Sequence, residues 1–190
     1  WGMGCVYNIR PLRAKDLPYV DVLSESVNNP LRMLAGWYIV GPGAPPPASL
    51  LLSYWMIGAY FMAMKRYAEY RAIGDPAVAA AYRRSFAHYT EERLLTSIVF
   101  YGSASMLFFG AFIMRYRIEE ILAFPLVAMV MAAYLAVGLE PNSAAQRPEE
   151  LYRRPRLMLT VLVASAAMVA LLFVDIPALD RWLAPLFPPR

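Results

Sequence analysis

The sequence predicts an all-α protein: one integral-membrane domain over residues 1–190, a multi-pass bundle with about five transmembrane helices. The first observation behind this prediction is composition, because 59% of the 190 residues are hydrophobic and the mean hydropathy is +0.42. The second is the charged fraction of 17%, compared with about 25% in a typical soluble domain. The third is that the apolar residues form runs close to the roughly 20 residues that a helix needs to cross a bilayer.

Five apolar segments define the predicted helices. The first is short and is extended toward its N-terminus by the more polar stretch 21–30, and the second continues as helix toward Arg71. Thr90 suits the N-cap of the third, because its side-chain oxygen can accept a hydrogen bond from a free N–H of the first turn. The fourth contains Pro125, which predicts a kink. The approximate segments are 31–40, 50–67, 91–114, 118–138 and 156–174.

Basic side chains predict the orientation of these helices. They concentrate in three loops, and in membrane proteins the cytoplasmic loops carry the excess of lysine and arginine. We therefore expect a multi-pass protein of the cytoplasmic (inner) membrane, with these loops inside, the C-terminus outside and membrane lipids around it. Because the basic loops already account for the formal net charge of +4, we do not expect nucleic acid as a partner. The residues concerned are Arg10, Arg13 and Lys15, then Lys65, Arg66, Arg71, Arg83, Arg84 and Arg93, and finally Arg147, Arg153, Arg154 and Arg156.

The segment 72–90 is predicted to be a cytoplasmic loop or lid helix. Asp75 suits the N-cap of a short helix and Pro76 suits its first position. Such a helix can lie on the membrane surface over a cavity.

Rare residue types and the first residue limit the class of protein further. One Cys and one His exclude a disulfide framework and disfavour a Cys/His zinc site. The opening WGMGCVY, which begins at Trp1, looks like the end of an apolar helix. We expect the chain to be the C-terminal part of a longer protein, so its partners would be missing N-terminal helices or another membrane subunit.

A polar stripe leads into the first apolar segment. If 21–36 is helical, Asp21, Glu25, Asn28, Arg32 and Gly36 share one face, because they are spaced by three or four residues. Polar side chains in a membrane span are unfavourable unless they line a wet cavity or pair internally. Two interpretations stay open: a salt-bridged stripe that fixes helix packing, or the lining of a ligand site.

A second polar cluster stands at the end of the second segment. Lys65 and Glu69 are spaced as an i,i+4 pair, with Arg66 alongside. Taken by itself, this cluster needs no ligand: Lys65 and Arg66 would extend their charged ends toward water, and Lys65 would form a weak surface ion pair with Glu69. Because the polar stripe ends at the same predicted membrane face, we expect one shared cavity open to the cytoplasm, with Tyr89 also lining it.

Several segments together resemble the UbiA superfamily of intramembrane prenyltransferases. They are YNIRPLRAKDLPYVDVLSESVNNPLRMLAGW, AYFMAMKRYAEYR and YTEERLL, and the resemblance extends from Tyr7 to about Val174. It corresponds to the later five of the family's nine helices. The family pattern of a Lys, a Pro and an Asp followed by "LR..AG" is matched by Lys15, Pro18, Asp21, Leu31, Arg32, Ala35 and Gly36.

The resemblance implies a helical bundle that binds a prenyl diphosphate through Mg²⁺ and two Asp-rich motifs. The first motif belongs to helices that this chain does not contain, and Lys65, Arg66 and Glu69 stand where the second should be. That arrangement is similar to the branch that transfers phosphoribose to a polyprenyl phosphate. The implied catalytic residues are Lys65, Arg66 and Glu69. The implied phosphate contacts are Arg32, Lys15, Asn28, Lys65 and Arg66, the implied metal ligands are Glu69 and Asp21, and Glu69 is alternatively the residue that orients Lys65.

Two functions from different classes remain. The first is a transferase acting on an isoprenoid phosphate or diphosphate, whose acceptor stays open between an aromatic ring, a chlorin-like alcohol acceptor and phosphoribosyl diphosphate. The second is a non-catalytic membrane subunit of the same fold that binds a lipid, quinone or pigment tail within a larger complex. A transporter is disfavoured, since no inverted repeats or matching broken helices are evident.

Overall fold

The computed structural model describes residues 2–41, 43–141 and 143–183. Within that part of the chain every regular element is a helix and no strand occurs, which confirms the all-α prediction. Short 3-10 turns separate several of the α-helices; they cover Ala14–Asp16, Arg84–His88, Ile118–Leu122, Ala144–Gln146 and Pro148–Arg153.

Three helices make up the N-terminal part: α1 (Gly2–Asn8), α2 (Val20–Ser26) and α3 (Asn28–Val40). The predicted polar stripe is therefore divided between α2 and α3, which meet at Val27. Pro30 explains the division, because it has no N–H to donate to the carbonyl of Ser26 and is tolerated only in the first turn of a new helix. α3 is exposed along most of its length.

The two longest helices, α4 (Ala48–Ile73) and α6 (Glu91–Tyr116), form an antiparallel pair at the centre. Their direction follows from the contacts, since Ser53 meets Ser105 near one end and Arg71 meets Glu91 near the other. The hydroxyl of Ser53 donates to the carbonyl of Ser105 at 3.0 Å, and the hydroxyl of Ser105 donates back to the carbonyl of Ser53 at 3.1 Å. Small side chains let the two backbones approach this closely.

The loop between α4 and α6 contains α5 (Pro76–Tyr82), with the cap that its sequence predicts. A side-chain oxygen of Asp75 accepts hydrogen bonds from the N–H groups of Ala77 at 2.7 Å and Val78 at 3.0 Å. The predicted N-cap of α6 is also confirmed, because the Thr90 hydroxyl accepts from the N–H of Arg93 at 3.2 Å.

The C-terminal part contains α7 (Phe124–Gly138), α8 (Pro155–Leu171) and α9 (Pro177–Leu183). The kink predicted within 118–138 is wrong, because a 3-10 turn occupies Ile118–Leu122 and α7 begins only at Phe124. Pro125 lies in the first turn of α7. A proline there interrupts no hydrogen bond, since the first N–H groups of a helix have no partner within it.

One helix of the described part of the chain, α6, is long and apolar enough to cross a membrane by its length and composition. α4 also has 26 residues, but Lys65, Arg66, Glu69 and Arg71 stand in its last turns. α7 and α8 are apolar but have 15 and 17 residues, fewer than the roughly 20 that a full crossing needs.

Gly138 permits a close approach between α4 and α7. A Cβ at this position would lie 2.0 Å from the sulfur and 2.7 Å from the Cγ of Met64, which is fully buried. We therefore expect Gly138→Ala to destabilise the protein by about 1–3 kcal/mol, since overpacked cores relax only at that cost. The measurement is the Tm of the purified protein.

Gly110→Ala is the matched control, because the nearest atom to a Cβ at 110, on Phe124, lies at 3.8 Å. Equal Tm values for the two variants would contradict the packing described for α4 and α7.

Candidate functional site

The guanidinium of Arg66 lies at the centre of a buried group of charges. Its side chain is 2% exposed and meets three carboxylates from α2 and α4. Nη2 lies 2.6 Å from Oε2 of Glu25, Nη1 lies 3.1 Å from Oε2 of Glu69, and Nε lies 3.6 Å from Oδ2 of Asp21. We call Arg66, these three acids, Tyr7, Arg83, Ser85 and Tyr89 the ion network.

Asp21 is the most enclosed acid of the ion network, with a fully buried side chain. Its Oδ1 accepts hydrogen bonds from the Tyr89 hydroxyl at 2.8 Å and the N–H of Val22 at 2.9 Å. Its Oδ2 accepts from the Ser85 hydroxyl at 3.1 Å and lies 3.5 Å from Nη1 of Arg83. Asp21 therefore ties α2 to the segment that precedes α6.

Tyr7 brings α1 into the same network. Its hydroxyl donates to Oε2 of Glu25 at 3.1 Å and accepts from Nη2 of Arg66 at 3.4 Å and Nη1 of Arg83 at 3.3 Å. One phenol thus connects an acid of α2 with both guanidiniums. The elements α1, α2, α4 and the loop after α5 converge on this point.

Burial changes the acidity of the groups around Asp21. It raises the pKa of the Tyr89 hydroxyl well above its ordinary value, and the neighbouring Asp21 carboxylate raises it further, so Tyr89 remains a hydrogen-bond donor. Burial also raises the pKa of Asp21, although the hydrogen bond from Tyr89 and the charge of Arg66 oppose this change. For Tyr7, burial again raises the pKa and the hydrogen bond from Arg83 opposes it.

An apolar cavity of about 370 Å³ lies beside the network, between α3, α4, α7 and α8. Lys65 is its one charged lining residue, and in the described part of the chain its ammonium has no ion pair or hydrogen bond. Asn29 is the other strongly polar group. The lining residues are Asn29, Gly58, Phe61, Met62, Lys65, Val130, Tyr134, Ala145, Leu151, Leu157, Met158 and Val161.

The predicted catalytic residues Lys65, Arg66 and Glu69 are neighbours on α4 but lie in different surroundings. Lys65 lines the apolar cavity, whereas Arg66 is enclosed in the ion network. Glu69 pairs with Arg66 at i,i+3 and not with Lys65 at i,i+4. The reason is tertiary, because Asp21 and Glu25 fix the guanidinium within reach of Glu69.

The other predicted residues are distributed over several places. Asp21, Glu25 and Tyr89 belong to the ion network, and Asp21 has no exposed surface with which to line a cavity. Asn28 is exposed and its amide donates to the carbonyl of Glu25 at 3.0 Å. Arg32 and Gly36 are exposed on α3, outside the lining of the apolar cavity.

Lys15 stands apart from both places. Its ammonium donates to the side-chain oxygen of Asn8 at 3.1 Å and it lines a separate pocket at the loops.

Sequence reasoning missed several residues that the structure brings together. Tyr7 and Ser85 join the ion network, and Asn29 and Tyr134 line the apolar cavity. None of them stands at a spacing that marks it as a site residue. Arg83 carried a usable signal, since it lies in the charge-rich loop that faces the same predicted side as the stripe.

The carboxylates of the ion network do not fit the Mg²⁺ that the resemblance implies. Glu25 and Glu69 direct oxygens at Arg66, and both oxygens of Asp21 accept hydrogen bonds. A guanidinium therefore stands where a shared cation would have to lie. Among the described residues no three acids, histidines or cysteines are grouped as ligands for a metal ion.

The ion network predicts a large difference between two arginine substitutions. Arg66→Met leaves Glu25 and Glu69 without a cation and Asp21 with Arg83 alone, and removal of one partner from a buried ion pair destabilises by about 3–5 kcal/mol. We expect a strong loss of Tm, or of monodisperse purified protein. Adding Asp21→Asn to Arg66→Met should restore part of the stability, because it removes one buried charge.

Arg147→Met is the control, since Arg147 forms a comparable 3.2 Å pair with Glu150 at 70% side-chain exposure. Such exposed pairs contribute about 0–1 kcal/mol. If Arg66→Met and Arg147→Met melt alike, the ion network does not hold these helices together.

No family model matches the chain, and no curated protein or solved structure matches it either. The resemblance to the UbiA superfamily therefore rests on the residues quoted above.

Proposed function

We propose that this chain belongs to a UbiA-like integral-membrane transferase that acts on a polyprenyl phosphate, with phosphoribose as the transferred group. The bundle would cross the membrane about five times through α3, α4, α6, α7 and α8. The exposed apolar side chains of α8 support this placement: Leu159 is 63% exposed and Leu162 is 66% exposed. Side chains of this kind are expected against lipid tails.

The observation that carries the proposal is the ammonium of Lys65 in a mainly apolar cavity, where none of the described residues pairs with it. A lipid phosphate has the complementary chemistry, because its head needs a cation and its tail needs apolar walls. Phe61, Met62 and Val161 supply such walls next to Lys65. A single cation suits a single phosphate group better than a diphosphate, which supports the polyprenyl phosphate as the substrate at this position.

The reaction needs few groups from the protein. An oxygen of the lipid phosphate dianion forms a bond to C1 of the ribose, while the bond from C1 to the diphosphate oxygen breaks. The diphosphate leaves with the electron pair of that bond, so no proton has to move. The role of Lys65 is to hold the attacking phosphate in position, which lowers the entropic part of the barrier.

Arg66 has a different role in this proposal from the phosphate contact that the resemblance implies. Three carboxylates already surround its guanidinium, and its side chain is buried. It is a positioning residue that fixes α2 against α4, and Glu69 helps it to do so. Lys65, one residue earlier, remains the cation available to a ligand.

The alternative is a non-catalytic membrane subunit that binds an isoprenoid, quinone or pigment tail in the apolar cavity. The commitment of Asp21, Glu25 and Glu69 to Arg66 favours this alternative, since these acids are then not free to hold a metal. Such a subunit would retain lipid binding without transfer.

The test is transfer of labelled phosphoribose from phosphoribosyl diphosphate to polyprenyl phosphate by membranes that contain the protein. Lys65→Ala should lower kcat/KM for the lipid phosphate at least ten-fold, because a hydrogen bond to a charged group contributes about 1.5–3 kcal/mol. Lys65→Arg should restore part of the activity. Arg115→Ala is the control, since Arg115 is an exposed cation at the other end of α6.

A parallel assay pairs a prenyl diphosphate with an aromatic acceptor. Transfer only in this assay would replace phosphoribose by a prenyl group as the transferred unit. Transfer in neither assay by well-folded protein would favour the non-catalytic subunit, and unchanged turnover in Lys65→Ala would refute the role of Lys65.

A further inference from the structure

A second pocket, of about 470 Å³, lies where the loop before α2 faces the loop after α5. We call it the basic pocket, because four of its lining residues are cations and one is an acid. It is separate from the apolar cavity and shares no lining residue with it. The basic pocket is lined by Arg13, Lys15, Asp16, Ala81, Tyr82, Arg83 and Arg84.

The charges of the basic pocket are poorly balanced. Asp16 lies 3.1 Å from Nε of Arg13 and 3.7 Å from Nη1 of Arg84, so one carboxylate serves two guanidiniums. The side chain of Arg84 is nevertheless 72% exposed. Among the described residues, the one hydrogen-bond partner of the Lys15 ammonium is an uncharged amide oxygen, that of Asn8. An excess of cations around a concave surface favours anions, because several donors converge on the same space.

The loop that supplies Arg13 and Lys15 has a backbone shape that ordinary surface loops avoid. Arg13 has φ +32° and Tyr19 has φ +65°, which are unfavourable for residues that carry a Cβ. The N–H of Tyr19 donates to the Tyr89 hydroxyl at 2.5 Å, which anchors the end of this loop to the ion network. Non-glycine residues held in this way concentrate at ligand sites.

Arg13 also has an unsatisfied donor at this pocket. Its Nε is buried and makes no hydrogen bond within the described part of the chain, although Oδ2 of Asp16 lies 3.1 Å away in unsuitable geometry. A buried guanidinium donor without an acceptor is unfavourable, because it has lost its hydrogen bond to water and gained none in return. A bound anion would supply acceptors to the same guanidinium.

Arg83 connects the basic pocket to the rest of the site. Besides lining the pocket, it lies 3.5 Å from Oδ2 of Asp21 and donates to the Tyr7 hydroxyl at 3.3 Å. Tyr7 in turn accepts a hydrogen bond from Arg66, and Lys65 of the apolar cavity is the residue before Arg66 on α4. Arg83, Tyr7 and Arg66 therefore place the basic pocket and the apolar cavity on the same stretch of α4.

We infer that the basic pocket binds the water-soluble, polyanionic co-substrate, a sugar phosphate that also carries a diphosphate, as phosphoribosyl diphosphate does. This inference rests on the proposed function, and it assigns the second substrate to a place apart from the lipid. The phosphate and the diphosphate of such a sugar stand at opposite ends. Arg13, Lys15 and Arg84, spread around one pocket, match that distribution of charge better than they match a single lipid headgroup.

The experiment measures binding and kinetics on the same purified, detergent-solubilised protein. The probes are inorganic diphosphate and phosphoribosyl diphosphate, and isothermal titration calorimetry measures the affinity for each. The double variant Lys15→Ala, Arg84→Ala should weaken the affinity for both probes at least ten-fold. In the transfer assay it should raise KM for phosphoribosyl diphosphate and leave KM for the polyprenyl phosphate unchanged, whereas Lys65→Ala should do the reverse.

Arg115→Ala controls for the loss of a surface cation and should bind both probes as the wild type does. If the double variant folds and binds both probes with wild-type affinity, the inference is overturned, whatever the activity. If no transfer is found but the double variant loses probe binding while Arg115→Ala keeps it, the basic pocket stands as an anion site and the proposed transfer fails.

Discussion

A guanidinium can stay charged inside a helical bundle only if carboxylates and hydrogen bonds replace the water that it has lost, and Arg66 has three carboxylates. Two of them, Asp21 and Glu25, come from α2, which has only seven residues and would not hold its own position in isolation. The pairing with Arg66 therefore decides where α2 lies against α4. Asp21 then decides where Ser85 and Tyr89 lie, so the loop before α6 depends on the same charge.

The position of Arg66 also decides what Lys65 can do. Adjacent residues of a helix point about 100° apart, so a side chain fixed inward at 66 places its neighbour on a different face. Here that face belongs to the apolar cavity between α3, α4, α7 and α8. Because Glu69 is engaged by Arg66, it does not neutralise Lys65. The ion network thus leaves Lys65 next to apolar walls with no acid from the described residues paired to it, and the proposed lipid phosphate would supply that partner.

The helices and their caps were accessible from the sequence because they depend on neighbours along the chain: apolar runs for α4, α6 and α8, and the oxygens of Asp75 and Thr90 for the caps. The spacing of Asp21 and Glu25 on one face was predictable for the same reason. Their contact with Arg66 was not, because periodicity says nothing about which helix lies opposite. The partner of Glu69 was not predictable either. Both the i,i+4 pair with Lys65 and the i,i+3 pair with Arg66 are allowed within a helix, and the acids of α2 decide between them.

The two guanidiniums that reach Asp21 are not equivalent, and the difference suits the anion binding that we propose for the basic pocket. Asp21 would keep hydrogen bonds from Tyr89, Ser85 and the N–H of Val22 if Arg83 turned toward a ligand in the basic pocket. Arg66 could not turn in the same way, because Glu25 and Glu69 would both lose their partner. Arg83, which is 21% exposed, is therefore the member of the network that can exchange a protein acid for a bound phosphate while the helices keep their places.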